Sequence, residues 1–144
     1  MKRLLTVCIG NICRSPLAEV ALRRALGDGW QVSSAGLQAL VGVPADPTSQ
    51  AIAREQGLDL SGHRAQQLTA WMTQQQDVIL VMEDTLTRML LQMAPTARGK
   101  VFRLGHVRGY DIADPYRQPR DAFDTAWAGI AQGVDDWVPR LRRL

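Results

Sequence analysis

The chain has 144 residues, of which 46% are hydrophobic and 22% charged, with 17 Lys and Arg against 14 Asp and Glu for a net charge of +3. These proportions exclude a disordered or fibrous polypeptide, and no apolar run approaches the ~18 residues needed to span a bilayer. The positive excess suits an anionic ligand, but the arginines are scattered or gathered at the C-terminal end (Arg140, Arg142, Arg143), so neither nucleic acid nor membrane insertion is expected.

Arg3 to Cys8 (RLLTVC) is a short apolar run read as a strand, and Pro16 opens the strongly helical stretch LAEVALRRAL. Trp30 to Ser34 reads as a second strand. Asp46 and Pro47 supply the cap and first position of a helix through TSQAIAREQ that stops at Gly57. Gln66 to Gln75 is predicted helical, Asp77 to Met82 (DVILVM) is an apolar run of buried-strand type, and Glu83 to Met93 is an amphipathic helix. Val101 to Leu104 is the next strand. After a loop holding Asp111 and Asp114-Pro115, a last helix starts near Arg120, with Phe123, Trp127, Ile130, Val134, Trp137 and Leu141 at helical spacing.

This alternation predicts an α/β three-layer sandwich over a single domain, residues 1–144, with a central parallel sheet of about four strands and helices on both faces. Met1 to Ile12 turns polar too soon for a secretory leader, so a cytoplasmic protein is expected. Ligands of open α/β sheets gather beyond the carboxyl ends of the strands. The loop after the first strand lies there, and it contains Cys8.

Cys8 and Cys13 are the only cysteines, too few for a structural zinc site and wrongly placed for a disulfide framework, which turns the question to thiol chemistry. In Cys8-Ile9-Gly10-Asn11-Ile12-Cys13-Arg14-Ser15-Pro16 a cysteine ends a strand, an arginine follows six positions later, and a helix begins. A loop curled between Cys8 and Arg14 can turn successive backbone N–H groups inward, and the helix N-terminus adds its dipole to the same spot, which makes a phosphate cradle. The same field favours a thiolate, so Cys8 is the candidate nucleophile. The planar fork of Arg14 suits two equatorial oxygens of a phosphoryl group in transfer. Gly10 and Asn11 tolerate the backbone angles of a tight loop, and Ser15 can either cap the helix or bond the Cys8 sulfur. Cys13 is either packing or the partner of Cys8 in a reversible disulfide under peroxide. The residues alone leave a hydrolase, a reductase and a phosphate-holding module open.

From Val7 to Glu19 the chain matches VCxGNICRSPxAE and thereby resembles the low-molecular-weight protein tyrosine phosphatases. Ser34-Ala35-Gly36, Gly57 to His63, Val81-Met82 and Asp114-Pro115-Tyr116 extend the likeness along the whole chain. Ala39 to Thr48, Met93 to Val101 and Asp111 to Arg117 resemble the bacterial exopolysaccharide-associated, Wzb-type branch. The resemblance implies a phosphoric monoester hydrolase that cleaves phosphotyrosine through a phosphocysteine on Cys8, with Arg14 as clamp and Asp114 as general acid. It implies substrate contacts at Ile9, Gly10, Asn11, Ile12, Cys13 and Ser15, aryl-pocket walls at Leu40 and Tyr116, and a supporting network of Asn11, Ser34 and His63. No metal and no cofactor are implied.

Without the resemblance Asp114 is a turn residue, Asp111 its decoy, and His63 a loop histidine. Where the family commonly has Ala-Arg-Gln after that histidine, this chain has Ala65-Gln66-Gln67. Arsenate reductases on a similar fold need further cysteines to pass a disulfide outward, and this chain has none beyond Cys13. The arginine-phosphatase branch carries Thr where this chain has Ile12, so tyrosine is the expected target. The branch implies a partner as well, the tyrosine-rich tail of a membrane-bound bacterial tyrosine autokinase that controls capsule or exopolysaccharide production.

Overall fold

In a computed structural model, which describes all of residues 1–144, the N-terminal apolar run forms β1 (Lys2–Cys8), whose Leu4, Leu5 and Val7 are fully buried. It lies inside a four-stranded sheet of order β2-β1-β3-β4, where β2 is Trp30–Gly36, β3 Val78–Val81 and β4 Val101–Arg103. Every pairing is parallel. The four residues of β3 are all buried, as expected of a strand covered on both faces.

Chain order dictates how the faces are covered. From β1 to β2 the chain steps one way across the sheet, and from β3 to β4 it steps the other way. Parallel crossovers are right-handed, so α1 (Arg14–Leu26) covers one face and α4 (Asp84–Met93) the other. The final helix α5 (Arg120–Leu141) packs beside α1, burying Phe123, Ala126, Ile130, Val134, Trp137 and Leu141 at about 1.5–3 kcal/mol for each large side chain. Gly133 lets α5 close on the end of β4, since a Cβ there would meet Leu104 at 2.7 Å. Strand order reverses between β1 and β3, and the loop after Cys8 sits at that switch point.

Asp46 caps α2 (Pro47–Glu55) as its sequence indicates, its carboxylate accepting the Thr48 N–H at 2.8 Å. Several boundaries differ from expectation, and two of the differences have a physical reason in the structure. Helix α1 starts at Arg14, so Pro16 is its third residue, where an N–H has no intrahelical partner to lose. The helix expected over Gln66 to Gln75 is a correction: α3 covers only Ala70–Gln74, capped by Thr69. Residues 66–68 are extended because they bridge the end of β2, Gly36 N–H donating to Gln66 O at 2.9 Å and Leu68 N–H to Gly36 O at 2.8 Å. No helix is long and apolar enough to cross a membrane.

Candidate active site

The loop from Cys8 to Arg14 is held by its carbonyls. Leu37, Gln38 and Leu40 donate their N–H groups to the oxygens of Cys8, Ile9 and Gly10 at 3.0, 2.9 and 3.1 Å, and Asp46 N–H donates to Ile12 O at 2.9 Å. His63 Nε2 lies 2.7 Å from Asn11 O, and Ser49 Oγ donates to Cys13 O at 3.3 Å. Every carbonyl from Cys8 to Cys13 is thus engaged outside the loop. In a trans peptide C=O and the following N–H point opposite ways, so the N–H groups that follow face inward. Those of Ile9 to Cys13 have no partner in the protein. Gly36 makes the close approach to β2 possible, because a Cβ there would stand 2.4 Å from Ile9 O.

Asn11 takes a left-handed backbone (φ 60°) and sends its side chain behind the loop, where Nδ2 donates to Ser15 Oγ at 2.8 Å and to Ser34 Oγ at 3.0 Å, while Oδ1 accepts the Gln66 N–H at 2.9 Å. Ser34 donates onward to Glu19 at 2.6 Å. Ser15 Oγ sits 2.9 Å from Cys8 Sγ and makes no cap bond to its helix, so of its two possible tasks it takes the contact with sulfur. The side chains of Asn11 and Ser15, placed among the substrate contacts by sequence, face away from the cleft. Gln66, which stands where the family commonly has arginine, donates its Nε2 to Ser34 O at 2.8 Å.

Arg14 is 1% exposed. Its NH1 bonds Glu83 and also donates to Ile112 O at 2.7 Å, and its NH2 stands 3.8 Å from Asp114 Oδ2. Its buried Nε has no partner. One edge of the guanidinium is anchored, and the Nε of the other edge is left with an unsatisfied proton, which in a buried site is costly without an acceptor.

An open cleft of about 460 Å³ stands over the loop. Cys8, Cys13 and Arg14 contribute to its lining, as do Ile9, Gly10 and Ile12, while Leu40, Tyr116 and Asp114 reach it from two other loops. Burial pushes the Cys13 thiol up, reinforced by the charges of Asp46, Cys8 and Asp114, so Cys13 stays a neutral thiol. Asp114 is held by the turn that follows it, its Oδ1 accepting the Tyr116 N–H at 3.1 Å. That turn is anchored upstream by Ile112 N–H on Met82 O at 2.9 Å and by Tyr110 OH on Gly129 O at 2.7 Å. Asp111 is occupied elsewhere, with Arg103 NH1 at 3.0 Å and the Asp84 N–H at 3.1 Å.

A thiol over inward N–H groups, a buried arginine and a facing carboxylate can bind a tetrahedral oxyanion and protonate a leaving oxygen. Residues 3–144 match the family model described as low molecular weight phosphotyrosine protein phosphatase. The chain belongs to that family. It is 50% identical over 144 residues to the "Probable low molecular weight protein-tyrosine-phosphatase EpsP" of Ralstonia solanacearum, covering 100% of this chain and 99% of that one. Vibrio vulnificus Wzb, solved in complex with benzylphosphonate, superposes with a TM-score of 0.93 at 40% identity, over 96% of this chain and 98% of the other. Escherichia coli K30 Wzb, solved with sulphate, gives a TM-score of 0.93 at 39% identity, over 97% and 98%. This phosphatase is therefore a protein-tyrosine-phosphatase of the low-molecular-weight type, and its fold is the four-stranded parallel α/β fold of those structures.

Sequence reasoning overlooked several contributors to this phosphatase site, three of which touch Arg14 or line the cleft. Glu83 immediately precedes α4 and reads as an acidic residue complementing a helix N-terminus, yet its carboxylate makes no cap bond and turns to Arg14. Ile112 contributes a carbonyl, which carries no side-chain signal. Gln38, also in the cleft lining, sits in a loop with no pattern to distinguish it.

Proposed function

We propose that this phosphatase hydrolyses phosphotyrosine through a phosphocysteine on Cys8, and that its physiological substrate is the phosphorylated tyrosine-rich tail of a membrane-bound bacterial tyrosine autokinase governing capsule or exopolysaccharide production. The observation that carries the mechanism is the inward-facing ring of free N–H groups over which Cys8 sits, with Arg14 and Asp114 within 3.8 Å of each other at its edge.

In the first step the Cys8 thiolate attacks phosphorus in line, an S–P bond forms, and the P–O bond to the tyrosyl ring breaks. The carboxyl of Asp114 gives its proton to the departing phenolic oxygen. In the second step the Asp114 carboxylate takes a proton from water, the water oxygen attacks phosphorus, and the S–P bond breaks to return the thiolate and release inorganic phosphate. The loop N–H groups of Ile9, Gly10, Asn11, Ile12 and Cys13, with Arg14, hold the three equatorial oxygens throughout. Ser15 bonds the sulfur, and Asn11, Ser34 and His63 keep the loop in shape. Leu40 and Tyr116 flank the aryl ring, and because Cys8 is buried, a phosphate carried on a phenyl spacer is favoured over one on the short side chain of serine. The reading for the partner is supported by the kinship with EpsP and Wzb, and a cytoplasmic location fits that partner.

The test is phosphate release by the purified protein in metal-free buffer from the phosphorylated tail of a bacterial exopolysaccharide-type tyrosine autokinase, with acid-quenched mass spectrometry to trap a phosphorylated Cys8 peptide. Release together with a Cys8 adduct is expected. Release with no adduct on Cys8 overturns the covalent step, and an inert kinase tail beside active generic phosphotyrosine peptides overturns the partner.

Glu83 acts in this scheme as a positioning residue that keeps the Arg14 fork aimed at the loop. Glu83→Gln removes the charge that fixes Arg14 while preserving a hydrogen-bonding group, and a misaimed clamp is expected to lower kcat/KM on p-nitrophenyl phosphate by about tenfold to a hundredfold. Weaker inhibition by inorganic phosphate should accompany the loss, at a melting temperature close to the wild type. A fall in melting temperature with unchanged phosphate inhibition would make Glu83 purely structural.

A further inference from the structure

Only two residues other than glycine adopt a positive φ, and both flank the cleft: Asn11 at 60° and Arg117 at 62°. The strain at Asn11 is accounted for, because its side chain bonds Ser15, Ser34 and Gln66 behind the loop. Arg117 lies at the third position of a turn closed by Gln118 N–H on Pro115 O at 2.9 Å, a place where glycine would sit without strain. Its side chain is exposed, with its Cζ 5.1 Å from the centroid of the Tyr116 ring, which lines the cleft. The other arginines of this region, Arg103, Arg108 and Arg120, are each matched to a carboxylate. Arg117 has no ion pair and no hydrogen bond with the rest of the protein, so all its N–H donors face solvent at the mouth of the site.

A fork of five N–H donors fixed against an aromatic wall is suited to a carboxylate, which it can hold by two parallel bonds. Stacking on Tyr116 reduces the freedom the side chain would lose on binding. Consecutive residues of an extended peptide are separated by only ~3.3–3.6 Å, so with a phosphotyrosine seated in the cleft the adjacent residue's side chain emerges beside Tyr116 and Arg117. We propose that Arg117 is a specificity-determining residue, its guanidinium binding the carboxylate of an Asp or Glu next to the phosphotyrosine, so that acidic phosphotyrosine segments are preferred over neutral ones. This rests on the reading of the Cys8 loop as the phosphotyrosine site and adds to it the chemistry of the flanking sequence. Because the contact is remote from the reacting atoms and is made alike in ground and transition states, it acts on KM and leaves kcat in place.

The experiment compares kcat and KM for a Glu-flanked phosphotyrosine peptide, the matched Gln-flanked peptide, and p-nitrophenyl phosphate, which has no flanking residues. The variants are Arg117→Gly, which the left-handed backbone accommodates, and Arg117→Lys. Wild-type protein is expected to favour the Glu peptide over the Gln peptide by roughly two- to fivefold through KM, the range of a solvent-exposed ion pair, and the preference should shrink as salt is raised. In Arg117→Gly the ratio should fall to about one, with part of it restored in Arg117→Lys. A wild-type ratio near one with normal turnover of p-nitrophenyl phosphate overturns this inference alone. An equal drop on all three substrates in Arg117→Gly also overturns it, since Arg117 would then act only by bracing Tyr116. Wild-type protein inert on all three overturns both this inference and the reading beneath it.

Discussion

Cys8→Ser is expected to lower phosphate release from p-nitrophenyl phosphate and phosphotyrosine peptides by ~10⁵-fold or more, the scale on which removal of a covalent nucleophile acts. The variant should keep its fold and its affinity for substrate. A serine oxygen replaces the sulfur with little change in volume, remains within reach of Ser15 Oγ, and leaves the loop carbonyls and the Arg14 anchors untouched. What it loses is sulfur, intrinsically a far better nucleophile than an alcohol oxygen. A hydroxyl needs a general base, and none is at hand: His63 is engaged with Asn11 O, and Asp114 is directed across the cleft mouth toward Arg14. The thiol of Cys13 cannot stand in, because burial and the neighbouring negative charges hold it protonated. Steady-state kinetics with calorimetric binding of a phosphotyrosine peptide checks the two halves together. Turnover surviving in Cys8→Ser but absent in Cys13→Ser would move the nucleophile to Cys13.

Legibility in the sequence followed the distance over which each feature is determined. The segment from Cys8 to Pro16 was readable because strand end, loop and helix start are contiguous, and the apolar runs of β1 and β3 announced strands covered on both faces. Gln66 to Gln75 misled for the opposite reason. Its composition favours a helix, but Gln66 and Leu68 are claimed by Gly36, some thirty residues away in the chain, and tertiary pairing overrides a weak local preference. The same range hid Glu83. Its partner Arg14 is 69 residues distant, and nothing near Glu83 distinguishes it from a carboxylate placed to favour a helix N-terminus.

The residues around the loop show a further division. Side chains that line the cleft include the apolar Ile12 and Leu40 and the polar Gln38 and Asp114, while those that brace it from behind include the polar Asn11 and Ser34, so polarity alone could not sort them. The backbone does the sorting: the left-handed turn at Asn11 throws its amide into the interior while the following Ile12 returns to the cleft. The choice between Asp111 and Asp114 was equally beyond spacing. Both precede the last helix by a few residues, and only family resemblance favoured the second; in the fold Asp111 bonds Arg103 and the start of α4, whereas Asp114 faces Arg14.

That division makes Asp114→Ala the second decisive variant, with Asp111→Ala as its companion. Loss of a positioned general acid is expected to lower kcat by about 10²–10⁴-fold, with substrate affinity largely kept, because Arg14 and the loop N–H groups do not depend on the carboxylate. The size of the loss should track the leaving group. A nitrophenolate departs with little help from a proton, while the phenolate of tyrosine departs poorly without one, so the defect should be smallest on p-nitrophenyl phosphate and largest on phosphotyrosine. No purely structural damage to the turn would grade itself by leaving-group basicity. Asp111→Ala breaks a half-exposed pair with Arg103 and a bond to the first turn of α4, and such contacts contribute on the order of 1 kcal/mol or less to stability. Its activity loss should be small and independent of the leaving group. If instead Asp114→Ala loses the same factor on both substrates, or Asp111→Ala shows the graded loss, the proton comes from somewhere other than Asp114.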